Sequence, residues 1–275
     1  MRTVLIIAAK EVRDGLRNRW VLAATALLAL FALTLAFLGA APTGAVKVSP
    51  LAVTVVSLSS LTIFLVPLIA LLLSYDAIVG EVDRGTMALL LAYPVARWQV
   101  VLGKFLGHVT ILGFATVIGY GAAGAALIAV HGMDPEAGRA FADMVGSSVL
   151  LGGAFVALGY LVSTLVRDRG TAGGIAIGLW LLFVLVYDMA LLGLLVADQG
   201  RFIDGSAMTW LLLLNPADIY RLLNLTGTAG VSAFAGMSGL ADQLEAGPAV
   251  MAAALAAWIV VPLAAAMALF GRRPV

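Results

Sequence analysis

Six stretches of this chain, residues 21–40, 51–74, 105–130, 144–166, 172–197 and 248–270, are apolar over most of their length and interrupted by almost no charge. About twenty such residues in a row are what a helix needs to cross the hydrocarbon of a bilayer. Inside lipid a backbone has no water to bond to, so each stretch is expected to satisfy its own amides as a helix. With 63% hydrophobic residues, 11% charged residues and a mean hydropathy of +1.09, the chain has no soluble reading. The fold expected is an all-α integral membrane domain of six transmembrane helices, occupying residues 1–275 as one unit.

Charge decides which ends of those helices face which side. An even number of spans puts both termini on one side. With the N-terminus inside, Arg2, Lys10, Arg13, Arg17, Arg19, Arg84, Arg97, Lys104, Arg167, Arg169, Arg272 and Arg273 lie in the cytoplasm, against Lys47, Arg139, Arg201 and Arg221 outside. That bias follows the positive-inside rule. The outer loops also hold Asp134, Glu136, Asp143, Asp198, Asp204, Asp218, Asp242 and Glu245. Such an acidic face attracts cations or a basic partner, although acids outside are also simply tolerated by topology. The charged start, with Lys10, Glu11, Arg13, Asp14 and Arg17 ahead of the first apolar run, does not resemble a cleaved leader. Helical spacing there sets Leu5, Val12, Leu16 and Trp20 opposite Lys10, Arg13, Asp14 and Arg17, the pattern of a helix lying in the membrane surface.

The second and third spans are separated by the one patterned charged island, Gly80-Glu81-Val82-Asp83-Arg84-Gly85-Thr86-Met87-Ala88-Leu89-Leu90-Leu91-Ala92-Tyr93-Pro94-Val95-Ala96-Arg97, closed by Gly103-Lys104. Glu81, Asp83, Arg84 and Arg97 offer charges to a partner, and Met87 with Leu89, Leu90 and Leu91 offers an apolar face to a groove. A plain interfacial helix has the same amphipathy.

This island resembles the cytoplasmic coupling segment of ABC-2 type transporter permeases: an acid and Gly85-Thr86 start a short helix, Leu89-Leu90-Leu91 fill its apolar face, and Pro94-x-x-Arg97 ends it before Gly103-Lys104 enters the next span. The resemblance covers essentially the whole chain. It implies an N-terminal amphipathic elbow helix, a cytoplasmic coupling helix, and an external helix before the last span. It also implies that Glu81, Asp83, Arg84, Gly85, Thr86, Leu89, Leu90, Leu91, Pro94, Arg97 and Lys104 form the seat of a separate cytoplasmic ABC ATPase, which would hold the ATP and Mg. Within the family the likeness is to permeases of copper-site assembly in nitrous oxide reductase. From that come an inner-membrane homodimer and a periplasmic copper-handling partner. The alternative is a generic ABC-2 exporter of a lipid, glycan or drug-like substrate. Nothing points to nucleic acid as a partner.

The chain itself carries no G-x-x-x-x-G-K-[ST] phosphate loop, so ATP chemistry falls to another subunit. No cofactor is expected on this chain. With no cysteine, disulfides, thiolate metal sites and cysteine nucleophiles are excluded. His131-x-Met133 is the one closely spaced soft-ligand pair on the outer side, and too little for a dedicated copper site. Gly236-Met237-Ser238-Gly239 matches the string of intramembrane serine proteases, but no histidine follows position 131 to activate the serine. A secondary transporter would need an ion site at the midplane, and the only deep acid is Asp188, placed near the outer interface by helical rise. Asp188 is either an interface anchor or a buried acid hydrogen-bonded across helices.

Between the last two spans, Trp210 to Leu214 is too short to cross, and Asn215-Pro216 starts a new helix, with Asn as cap and Pro in the first turn. Spacing predicts that residues 217–225 expose Asp218 and Arg221 while burying Ile219, Leu222 and Leu223. Asn215, Pro216, Asp218 and Arg221, with the glycine-rich stretch 226–239 behind them, are the expected contact for the periplasmic partner.

Overall fold

Residues 1–38, 50–132, 135–198, 205–226 and 247–273 are described by the computed structural model, and all regular structure among them is helical. Six runs are long and apolar enough to cross a membrane. The first is α2 (Arg19–Leu38), preceded by α1 (Arg2–Leu16); the second is α3 (Pro50–Ser74). Two short helices, α4 (Val79–Asp83) and α5 (Thr86–Leu91), lead into the third span, α6 (Arg97–His131). The fourth is α7 (Pro135–Leu165). The fifth is one continuous run made of α8 (Arg169–Leu181), a π-helical turn (Leu182–Val186) and α9 (Tyr187–Asp198). After α10 (Gly205–Leu213) and α11 (Pro216–Thr226) the sixth span, α12 (Pro248–Arg272), closes the bundle.

The third and fourth spans begin earlier in the chain than their apolar cores at 105 and 144, because helix continues beyond the hydrocarbon wherever side chains on one flank still pack. At 1.5 Å per residue the 35 residues of α6 reach about 52 Å, well past a core of about 30 Å. Its first two turns, from Arg97 to Lys104, therefore stand out on the face shared with α1.

The centre of the bundle is α7, which packs on α3 and α12 and also touches α6, α8 and α11. It can do so because small residues let neighbours come close: a Cβ at Gly152 would run into Leu112, and one at Gly159 into Ser74. The fifth span is its opposite, with α9 burying none of its residues. Residues 76–97, 164–169 and 270–273 gather beside α1, so both ends of the chain lie on one face, here called the N-terminal face.

From the opposite face α10 runs inward and α11 runs back. Their turn lies deep: the Asn215 side-chain amide donates to the Phe183 carbonyl (2.8 Å), and the Trp258 indole N–H donates to the Leu213 carbonyl (3.1 Å). Phe183 is fourteen residues along the fifth span, roughly 21 Å up a core of about 30 Å. The hairpin thus wedges into the bundle. Its expected exposure is corrected here: Ile219 and Leu222 are buried as expected, but so are Asn215 and Asp218, while Arg221 is only half-exposed. Polar spacing misled because these residues satisfy one another, Asn215 and Arg221 both donating to Asp218, rather than meeting water.

Candidate functional site

On the N-terminal face, α1 lies against the start of α6 along Gly103 and Gly107. A Cβ at Gly103 would fall 2.8 Å from Cβ of Ile7 and 3.0 Å from the Val4 carbonyl, and one at Gly107 would fall 3.2 Å from the Ala8 carbonyl. Between the two glycines stands Lys104, 3% exposed. Its ammonium sits 2.8 Å from Glu11 Oε1 and 2.8 Å from Glu81 Oε1, so one cation joins α1, α4 and α6. The pattern Gly103-Lys104-x-x-Gly107 is a docking seat: two gaps for a helix backbone and a charge for its acid.

Burial pushes the Glu11 carboxyl up, but the Lys104 ammonium together with neighbouring positive charge, Lys10 included, outweighs it and holds the acid below its ordinary value. Nε2 of His108 lies 3.9 Å from Glu11 Oε2, and its Nδ1 shares a 2.9 Å hydrogen bond with the Tyr160 hydroxyl. The cluster borders a cavity of about 230 Å³ whose walls also include Asp14, Asp76 and Arg84.

Several further ties hold α4 in place. The amides of Ile78 and Val79 both donate to the Ser163 hydroxyl of α7, at 3.0 Å each, which satisfies the orphan donors of a helix start. Arg169 reaches Asp76 at 2.8 Å. Asp168 caps α8 by accepting from the Thr171 amide at 2.8 Å, which holds its carboxyl below the usual range. Gly85, at φ +71°, makes the turn from α4 to α5, a backbone setting that favours glycine.

The residues expected to form the seat therefore divide. Asp83, Arg84, Gly85, Thr86, Leu89 and Pro94 lie exposed on the turn and α5. Leu90 and Leu91 are half-buried against the core, and Met87, expected to face a groove in a partner, is fully buried within this chain. Glu81 and Lys104 face inward to each other. Arg97 also turns inward, donating to the Phe270 carbonyl at 3.1 Å and to the Arg273 carbonyl, with its guanidinium 5.7 Å from the Phe270 ring centre. Arg273 in turn donates to the carbonyls of Ser163 and Thr164 at 3.2 Å.

Sequence reasoning missed Glu11, Ser163 and Arg273. Glu11 was findable: it stands at helical spacing from Val4 and Ile7, the residues α1 buries. The face of α1 that packs on α6 is Val4, Ile7 and Glu11, while Leu5 is 65% exposed on the outward side.

At the opposite face Asp188 is hydrogen-bonded across helices but half-exposed, so it is not the buried acid that one alternative expected. Arg221 bridges it at 2.6 Å and Asp218 at 2.6 Å. The Tyr187 hydroxyl donates to the Leu211 carbonyl at 2.6 Å. Met133 and the side chain of His131 lie outside the described residues, as does nearly all of the glycine-rich stretch 226–239. Among the described residues no group of three or more His, Cys, Asp or Glu is arranged to hold a metal ion. In the second span Thr62 meets the Tyr120 hydroxyl of α6 at 2.8 Å, whereas Ser60 and Ser74 donate to carbonyls of their own helix.

Comparison with known proteins agrees with this architecture. The family described as ABC-2 family transporter protein matches residues 5–275. A protein of Stutzerimonas stutzeri described as probable ABC transporter permease protein NosY is 48% identical over 277 residues, covering 99% of each chain. One of the same description from Pseudomonas aeruginosa is 48% identical over 280 residues, covering 100% of each. Six spans, a charged island between the second and third, and a match over nearly the whole chain lead to one conclusion: this protein belongs to the ABC-2 family of transporter membrane subunits.

Proposed function

We propose that this permease subunit is driven by a separate cytoplasmic ATPase resembling NosF, and that it couples ATP hydrolysis to a periplasmic copper-handling protein resembling NosD in copper-site assembly of nitrous oxide reductase. It works as a homodimer in the bacterial inner membrane with both termini cytoplasmic, each chain a single permease domain. The observation that carries the reading is the Lys104 bridge. A partner that seats on the exposed Asp83, Arg84 and Leu89 pushes on α4 and α5, and Glu81 passes that displacement through Lys104 to α6 and to α1 at once. Docking and transmission thus fall to different residues.

That division is testable. In a mild-detergent pull-down, Asp83→Lys with Arg84→Glu and Leu89→Asp should lose the ATPase, whereas Lys104→Met should retain it and lose the coupling of hydrolysis to copper delivery. Retention of the ATPase and full delivery by the first variant would refute the seat. A second expectation concerns cargo: the chain transmits force without chelating copper, so His131→Ala with Met133→Ala should leave delivery intact. Loss of delivery in that variant, with folding and partners preserved, would require a copper site on the permease.

A further inference from the structure

The fifth span differs from the other five in two ways. It is broken by the π-helical turn Leu182–Val186, and beyond that turn α9 buries no residue and packs extensively on no other described helix. A π turn widens the helix and leaves a carbonyl out of register, a feature that concentrates where helices bend or act. Here the Phe183 carbonyl is taken by the Asn215 amide from the hairpin turn, so the irregular backbone is satisfied at membrane depth. Below the turn α8 is seated, with Ala172 and Ala176 buried.

Above it, the contact of α9 with the hairpin is loose. A cavity of about 200 Å³ opens between Leu191, Leu192 and Leu195 on one side and Met208, Leu212 and Leu222 on the other. It is a groove open on its outer side, along which α9 and the hairpin forgo dispersion contacts with each other. What closes the lower edge, at the base of α9 beside the turn, is polar: Asp188 to Arg221, Arg221 to Asp218, and Tyr187 to the Leu211 carbonyl. Asp188 and Arg221 are partly exposed near the outer interface, but Asp218 is buried, so the set favours the closed arrangement in which its charge stays paired.

We infer that α9 is a movable arm that turns about the Leu182–Val186 turn and is clasped to the α10–α11 hairpin by the Asp188–Arg221–Asp218 bridge. Opening the clasp swings α9 outward over the apolar cavity; closing it locks the upper half of the span to a hairpin that is itself wedged among α3, α7 and α12. The rest of the bundle need not move.

The chain has no cysteine, so labels can be placed cleanly. Leu192→Cys on α9 and Val250→Cys on α12, both more than half exposed, take nitroxide labels for a pulsed dipolar distance measurement. Full-length protein in lipid nanodiscs, diluted with unlabelled chain so that pairs within one chain dominate, should show one distance in the otherwise unchanged background. Asp188→Asn and Arg221→Met should each add a second, longer distance, and Arg221→Lys should restore the single one. Asp188→Asn, a change of nearly equal size and shape, keeps the test open if Arg221→Met does not fold. A single unchanged distance in the folded variants, whether because α9 is rigid or because a second copy of the chain covers it, overturns the inference.

Discussion

Lys104 decides more than any other side chain on the N-terminal face. A buried cation shared by two carboxylates gains little over an apolar substitute, but removing it leaves Glu11 and Glu81 facing each other with only the exposed Lys10, 3.4 Å from Glu11, as a counter-charge, a loss of about 3 kcal/mol. Glu11 makes the same bridge visible through pH. Its folded-state pKa is held below the ordinary value of 4.5, so its contribution to stability is present above that pH and is lost as pH falls through the lower, folded value. The thermal midpoint of the wild type should therefore exceed that of Glu11→Gln at neutral pH, and the gap should close in acid. A gap that stays constant from neutral to strongly acid pH would show that Glu11 acts through shape and not charge.

At the scale of elements, α1 is a helix whose seat was built into α6. Replacing Gly103 with Leu sets a side chain against Ile7 and the Val4 carbonyl, and no rotamer of Ile7 frees the carbonyl. The variant should insert normally but expose α1 to limited proteolysis, while Gly121→Ala, where an added Cβ meets nothing within 4 Å, should not. This element also shows where sequence patterns stop being informative. In a chain that meets lipid on its outside, both the packed and the outward faces of a helix are apolar, so periodicity locates a stripe without saying which way it points. Leu5 belonged to the outward one, and the acid Glu11 marked the packed one. In α11 the reverse happened: polar spacing looked like an exposed face, yet Asn215, Asp218 and Arg221 form a closed set between helices. The six spans were legible because bilayer thickness sets their length, a constraint no neighbour can override. The depth of the hairpin was not, because it depends on contacts with Phe183 and Trp258, which are far away in the chain.

As a whole the molecule is a bundle built around α7, with the hairpin wedged in from one face and the two chain ends gathered on the other. Arg273→Ala should lower the thermal midpoint by a few degrees while sparing insertion, because it frees the Ser163 and Thr164 carbonyls beside the amides that Ser163 holds at the start of α4. An unchanged midpoint would make the C-terminal tie incidental. That tie also sets an order of assembly. Chains emerge from the ribosome N-terminus first and their early parts settle first. Arg97 and the carbonyls of Ser163 and Thr164 are thus in the membrane long before Phe270 and Arg273 exist to meet them. Until the last helix arrives, the central helix keeps one flank open to lipid and the linker helices lack their final brace, so a chain whose synthesis stops short is left incomplete on its N-terminal face.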